Sequence, residues 1–375
     1  MARVKFGDVI REVKINIDRA TDDHEFFIAG EHMESENIHI TKRGRFKGSD
    51  VGPAFIRLFK PGQILYGSRR TYLKKVAVAD FEGITSNTTF VLESKDESKM
   101  LQGLIPYIML SDDFTEYSIK KSKGSTNPYI LFSDIAEYEF ELPNHSKQVE
   151  LLGLLTACDT AKESYKALIA ATDELVKSQF IEMFGQLGSD EKGWGLTTLG
   201  SCCEVNPKRP KGIDDSTRVS FVPMPAVTEQ GQIDCSDIKP YAEVKKGFTY
   251  FAENDVLFAK ITPCMENGKG AIAEGLSNGI GAGSTEFHVL RPIEGKSNPY
   301  WLYIITMFDS FRNESRSVMT GTGGQLRVPA GFLEGYVVAL PPIELQNEFE
   351  LFVRQSDKSK LLGQKIRRMT NVYRG

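Results

Sequence analysis

Several residue groupings in this 375-residue chain have types and spacings that could do chemistry on nucleic acid. Asp80, followed by Glu93-Ser94-Lys95, approximates the acidic residue plus Glu-x-Lys with which a nuclease binds metal and positions water. An internal repeat sets Arg291 and Pro292 opposite Glu93 and Ser94, so the arrangement is not shared by both halves. Asn127-Pro128-Tyr129 and Asn298-Pro299-Tyr300 approach the Asn/Asp-Pro-Pro-aromatic motif that holds a flipped base in an adenine methyltransferase, but each lacks the second proline. Leu340-Pro341-Pro342-Ile343 has the prolines without an amide or an aromatic, and all three strings are expected to be turns. Gly279-x-Gly281-x-Gly283 and Gly321-x-Gly323-Gly324 are not followed by the Lys-Ser/Thr of a phosphate-cradling loop, and hairpin turns are expected there too. The histidines His24, His32, His39, His145 and His288 show neither metal spacing nor a partnered nucleophile. The five cysteines, among them adjacent Cys202 and Cys203, form no CxxC pair, so reduced thiols are expected. No catalytic residue, metal or cofactor is expected.

Charge points elsewhere. The net charge of −4 argues against nucleic acid only if it is taken as a sum, because phosphate attraction depends on local clusters. Such clusters are Lys42, Arg43, Arg45 and Lys47; Arg69, Arg70, Lys74 and Lys75; Lys120, Lys121 and Lys123; and Lys208, Arg209 and Lys211. Acids gather apart from them, in Asp22-Asp23 and in the alternation Glu137, Glu139, Glu141. Any single cluster is more often a solvated face than a binding site. Recurrence in loops of both halves puts phosphate contact level with that reading.

The elements that must position these residues occur twice. Pro143 and Pro341, Gln148 and Gln346, and Asp159 and Asp357 are each 198 residues apart. Phe59-x5-Leu65-Tyr66 returns as Phe251-x5-Leu257-Phe258, and Ser86–Leu92 returns as Ser284–Leu290. A period this long is a duplicated domain and not a solenoid of ~20–50-residue units. Short β-rich runs such as Ile64-Leu65-Tyr66 and Thr89-Phe90-Val91-Leu92, punctuated by Gly, Asp, Asn and Ser, predict sheets. Helical stretches are expected near 101–121 and 299–316. From Ser146 to Phe184 there is no proline, and Leu151, Leu154, Cys158, Ala161, Tyr165, Leu168, Thr172 and Leu175 fall at steps of three and four. That is a heptad seam for another helix. Lys162, Lys166 and Lys177 would lie on its outer face. A second helix from Leu345 carries Phe349, Phe352, Leu362, Ile366 and Met369, and the two helices are expected to pair antiparallel. The fold class is therefore α+β. Two sheet-rich domains at 1–144 and 189–343 alternate with spacer helices at 145–188 and 344–375. No apolar run reaches the ~18–20 residues of a membrane span, and the first residues form no signal-peptide core, so a cytoplasmic protein is expected.

Pro341-Pro342-x3-Gln346 leading into a long helix, the Gly-Gln turn at 321–325 and the duplicated layout together resemble the specificity (S) subunits of type I restriction–modification systems. The stretch from Gln63 to Ala77 is similar to that family's Leu-Tyr-Gly-Lys-x-Arg-Pro-Tyr-Leu-x-Lys-Val, with Gly83-Ile84-x-Ser86 after it. Ser68 and Thr71 depart from it, whereas Lys260 and Pro263 in the second copy keep both family residues. The resemblance covers nearly the whole chain. It implies two target recognition domains that read the halves of a split site on double-stranded DNA, and helices that set the gap. It also implies docking of adenine-N6 methyltransferase subunits, two in number, with a motor-endonuclease subunit as an optional further member. The chain itself would be non-catalytic. Lys42, Arg43, Arg45, Lys47, Arg69, Arg70 and Lys74 in the first copy, and Lys208, Arg209, Lys211, Lys260 and Arg327 in the second, are the expected DNA contacts. Two other classes remain open: a stand-alone methyltransferase or nuclease with unrecognised motifs, and a duplicated scaffold that binds only protein.

Overall fold

The computed structural model describes residues 2–48 and 51–356. The described residues divide into two compact units, the first up to residue 165 and the second from residue 166. The described parts of the two units are built to one plan.

In the first unit, one four-stranded sheet has the order Ile10–Glu12, Thr89–Ser94, Ile64–Gly67, Val76–Val78. A second has the order Gly44–Arg45, Phe26–Ile28, Gly83–Ser86, Phe55–Phe59. A strand pair, Ala2–Lys5 with Glu139–Leu142, closes the unit. The second unit repeats the first sheet as Cys203–Val205, Phe287–Pro292, Val256–Ala259, Gly270–Ile272. Its second sheet is Ile238–Pro240, Arg218–Val222, Ile280–Gly283, Thr249–Ala252, and its closing pair is Leu196–Thr198 with Val337–Ala339. Even the register is retained, with Leu65 opposite Val91 and Leu257 opposite Val289. In both second sheets one pair is parallel, Phe27 with Ile84 and Phe221 with Ala282.

The strand side chains fill cores on both faces of the central strands. Ile64, Tyr66 and Leu92 lie in one cluster of the first unit, and Leu65 and Val91 in another. Val256, Phe258 and Leu290 against Leu257 and Val289 do the same in the second. Burial on both faces explains why these strands read as continuous apolar runs without alternation. The expected helix near 101–121 breaks into Ile105–Leu110 and Asp112–Lys121, because Ser111 stops the first and caps the second by accepting from the Phe114 amide. Its counterpart breaks likewise into Pro299–Met307 and Asp309–Ser317.

The spacing of Gln148 and Gln346 has a physical cause. Both side chains are fully buried. Gln148 Nε2 donates to the carbonyls of Lys99 (2.7 Å) and Pro143 (2.9 Å), while its Oε1 accepts from the Leu101 amide (3.0 Å). Gln346 Nε2 donates to Lys296 (2.9 Å) and Pro341 (2.8 Å), and its Oε1 accepts from Asn298 (2.9 Å). Each glutamine thus joins the first turn of a long helix to the loop that follows the longest strand of its unit. Only a neutral amide supplies two donors and one acceptor in that place.

Four expectations need correction. Asn298-Pro299-Tyr300 is no turn but a helix start, where Asn298 accepts from the Tyr300 amide and Pro299 takes the first position, which needs no N–H. Gly279-x-Gly281-x-Gly283 leads into a strand, Ile280–Gly283. A Cβ on Gly281 would sit 2.0 Å from the Phe251 ring, so the glycines there make room across the sheet. The seam of the long helix His145–Phe184 is buried only in part. Of its members Leu154, Leu168 and Leu175 are exposed, Leu151 packs on the first core beside Leu152 and Leu155, and Thr172 is buried; Val176, Phe180 and Phe184 enter the second core. From Thr172 onward the buried positions recur every four residues, at 172, 176, 180 and 184, so the expected seam turns out of the core at Leu175. Lys162, expected on the outer face, instead donates to the Glu36 carbonyl. The second helix, described over 343–356, buries Phe349 and half-buries Phe352; the Phe349 ring lies 5.6 Å from Phe180 and 5.3 Å from Phe184. Leu362, Ile366 and Met369 lie outside the described residues. No described helix is long and apolar enough to cross a membrane.

Candidate nucleic-acid interface

In each unit the loop after the central strand meets a second loop 60 or so residues on. In the first, the amide of Arg70 donates to Pro128 (2.7 Å), that of Ile130 to Ser68 (2.9 Å), and Arg69 bridges to Tyr129. In the second, Thr262 donates to Leu326 (3.0 Å), Val328 to Lys260 (2.9 Å), and Ile261 bridges to Arg327. The Gly321–Gly324 string is the expected hairpin turn, joining Thr320–Thr322 to Gln325–Arg327. Gly321, Gly323 and Gly324 all have positive φ, which glycine adopts freely.

These loops bring Arg69 and Arg70 to one edge of the first unit. Arg69 is exposed, and Arg70 Nε donates to Asn127 Oδ1 at 3.2 Å. Lys74 follows them in sequence but has a different role. Its ammonium sits between Asp112 (2.7 Å) and Glu36 (3.2 Å), and the Asp112 hydrogen bond raises its pKa. It is held by two carboxylates and is poorly placed for phosphate. Lys42, Arg43, Arg45 and Lys47 belong to the other sheet of that unit, around the strand Gly44–Arg45. The Arg43 guanidinium stacks 3.8 Å from the Phe26 ring centroid, and Arg45 lies 3.8 Å from Glu25. Lys42 and Lys47 are exposed, with no carboxylate partner among the described residues.

In the second unit Lys208 and Lys211 are similarly exposed, while Arg209 donates to the Phe248 carbonyl (3.1 Å) beside the Tyr241 ring. Lys260 and Arg327 come together at the hairpin. Arg327 makes a two-point pair with Glu286, Nε to Oε2 at 2.9 Å and Nη2 to Oε1 at 2.8 Å. That pair holds the Glu286 carboxyl below its ordinary pKa. Burial pushes the Lys260 ammonium down, and the neighbouring Arg327 charge adds to the shift. Glu286 is not among the expected contacts, which are all basic. The signal that could have found it is its position opposite Lys260 in the repeat-defined strand pair.

The nuclease-like residues are not assembled. Glu93 accepts from Arg11 (2.8 Å) and Gln63 (2.9 Å), and Lys95 donates to the Gly7 carbonyl (2.5 Å). Among the described residues no group of His, Cys, Asp and Glu could hold a metal ion. Burial pushes the Cys202 thiol up to about 11 and Cys203 to about 12, the opposite of a nucleophile's needs.

Fold and site together define a tandem of two β-rich units of one plan, each carrying basic residues on its loops. The family model for the type I restriction modification DNA specificity domain matches residues 24–171 and again 191–367, and the chain belongs to that family. It is 40% identical over 195 residues to the specificity subunit of the type I restriction enzyme EcoEI of Escherichia coli, and 40% identical over 200 residues to that of EcoAI. These stretches make up 49% and 50% of this chain but only 32% and 33% of the relatives, so the match spans about a third of each. The fold is similar to that of the S subunit of a type I restriction–modification system from M. genitalium, with a TM-score of 0.52 and 14% identity over 100% of this chain and 93% of that one.

Proposed function

We propose that the chain is the DNA-specificity component of a type I restriction–modification assembly, acting in the cytoplasm. Recognition domains at 1–144 and 189–343 each read one half of a split site on double-stranded DNA. The spacer helices at 145–188 and 344–375 set the gap. The observation that carries this reading is the strand-for-strand repetition of the two units, in a family defined by DNA specificity. Two equivalent readers on one chain call for two half-sites at a fixed separation. The chain contributes no catalysis; two adenine-N6 methyltransferase subunits supply methylation, and a motor-endonuclease subunit supplies cleavage. Lys42, Lys47, Arg69, Arg70, Lys208 and Lys211 are the proposed phosphate contacts, because they are exposed and lack carboxylate partners among the described residues.

The test is to co-express the chain with its methyltransferase and map methylated adenines across a host genome. A split site with a fixed gap is expected. Inserting one helical turn after Ala167 should change the gap and leave both half-site sequences intact. Methylation at a single unsplit site, or a gap unmoved by the insertion, would overturn the reading, as would methylation by the purified chain alone.

A further inference from the structure

The charged group at the second unit's hairpin has no charged counterpart in the first. Backbone hydrogen bonds fix the correspondence: Ser68 donates to Thr88 (3.1 Å) as Lys260 donates to Glu286 (2.9 Å), and Ile130 donates to Ser68 as Val328 donates to Lys260. Strand register adds that Phe90 faces Tyr66 as His288 faces Phe258. Lys260, Glu286, His288 and Arg327 therefore stand where the first unit has Ser68, Thr88, Phe90 and Tyr129. The backbone is shared and the chemistry is not. Differences of this kind are expected where two copies of one scaffold read different letters.

The geometry of Arg327 is specific. A guanidinium has five N–H groups in a rigid planar fork. Nε and Nη2 are turned to Glu286, and Nη1 donates to the Gln325 carbonyl (3.2 Å). One N–H on each terminal nitrogen is left without a partner among the described residues. The carboxylate fixes the plane of the group and leaves its outer edge for a ligand. Arg327 lies in a two-stranded ribbon whose residues 320–325 are all exposed. A two-stranded ribbon is one of the elements a major groove admits, and the O6 and N7 of guanine are the acceptors that two parallel N–H groups match.

We propose that Arg327, held in plane by Glu286, reads a guanine in the half-site of the second unit, and that Glu286 is a positioning residue for that contact. This rests on the DNA-specificity reading. A bidentate contact of this kind supports roughly 5- to 150-fold discrimination between bases. An ammonium keeps the charge but lacks the fork, so lysine at 327 serves a phosphate contact and fails a guanine contact.

The experiment compares methylated sites in a host carrying the complete methyltransferase complex with wild-type chain, R327A, R327K or E286Q. Wild type should methylate a split site with a guanine in the half read by the second unit. R327A and R327K should both accept other bases at that one position, with the other half-site and the gap unchanged. E286Q should relax the same position to a smaller degree. The proposal is overturned if R327K keeps wild-type specificity, which would make Arg327 a phosphate contact. It is equally overturned if R327A lowers methylation uniformly without altering the site. Absence of a split site in the wild type would instead sink the DNA-specificity reading itself.

Discussion

The two units spend opposite residues on the same cross-strand position. Arg11 faces Glu93 in the first, and Glu204 faces Arg291 in the second. The partner on the central strand changes with them. Gln63 donates to Glu93, whereas Asp255 binds Arg291 through both oxygens, at 2.8 and 2.6 Å. The consequence is a difference in depth. Arg11 is 61% exposed, but Asp255 is only 1% exposed and also accepts from the Ala252 amide at 2.7 Å. One copy keeps a surface ion pair and the other buries a charge, on one backbone plan. What the copies must share is therefore not charge but the arrangement of strands and the two buried glutamines.

The largest effect should come from breaking that asymmetry. R291A leaves a buried carboxylate uncompensated and should cost about 3–5 kcal/mol. R11A removes an exposed pair and should cost roughly 0–1 kcal/mol. Denaturant unfolding of the whole chain, analysed unit by unit because two units need not melt together, reads both. Equal losses from the two substitutions would show that the difference in burial has no energetic meaning.

The glutamines sharpen the comparison from the other side. Q148A and Q346A each strand two carbonyls and one amide in a buried place, at about 1–3 kcal/mol for each unsatisfied group that water cannot reach. Because the bonds match one for one, the two losses should agree within about 1 kcal/mol. A loss in one unit only would mean that the second helix start is held by something else, such as the Asn298 amide bonded to Glu350 at 2.6 Å.

A smaller effect separates the units by pH. His288 is buried and its pKa lies below 6.5, first through burial and then through the Lys260 charge; Nε2 faces the Val328 carbonyl at 2.8 Å. Phe90 holds the matched place in the first unit. An imidazole kept neutral in the fold takes up its proton more readily when unfolded, so the unfolded state binds more protons and stability rises with pH. The contribution is complete above the unfolded value near 6.5 and is lost as pH falls from there toward the folded pKa. The second unit should weaken as pH falls below about 6.5, and H288F should remove that part of the dependence. An H288F variant that loses as much stability on acidification as wild type would place the proton uptake elsewhere.

Much of this plan was legible in the chain. The 198-residue recurrence of Pro-x4-Gln gave the duplication, and the two-sided apolar runs gave the central strands, because buried hydrogen bonds and cores leave few substitutes. Leu154, Leu168 and Leu175 of the expected seam are exposed: spacing alone does not say which apolar residues of a long helix meet a core; only tertiary packing does. Glu286 and the separation of Lys74 from Arg69 and Arg70 were hidden for a related reason. Ion pairs join residues far apart in sequence, and a carboxylate that orients an arginine resembles any other acid until the strands bring it near.

The smallest predicted effect concerns the exposed lysines, and it distinguishes phosphate neutralisation from base reading. Lys47 in the first unit and Lys211 in the second are exposed with no carboxylate partner among the described residues, so K47A and K211A should leave the unfolding midpoint unchanged. In the assembled complex each should weaken DNA binding by a similar factor for every target sequence and lower the slope of log affinity against log salt by about 1. R69A is expected to behave in the same way. A lysine whose loss leaves the salt slope intact belongs to a solvated face, and the recognition edge of that unit would then narrow to Arg69 and Arg70 in the first or to Lys260 and Arg327 in the second.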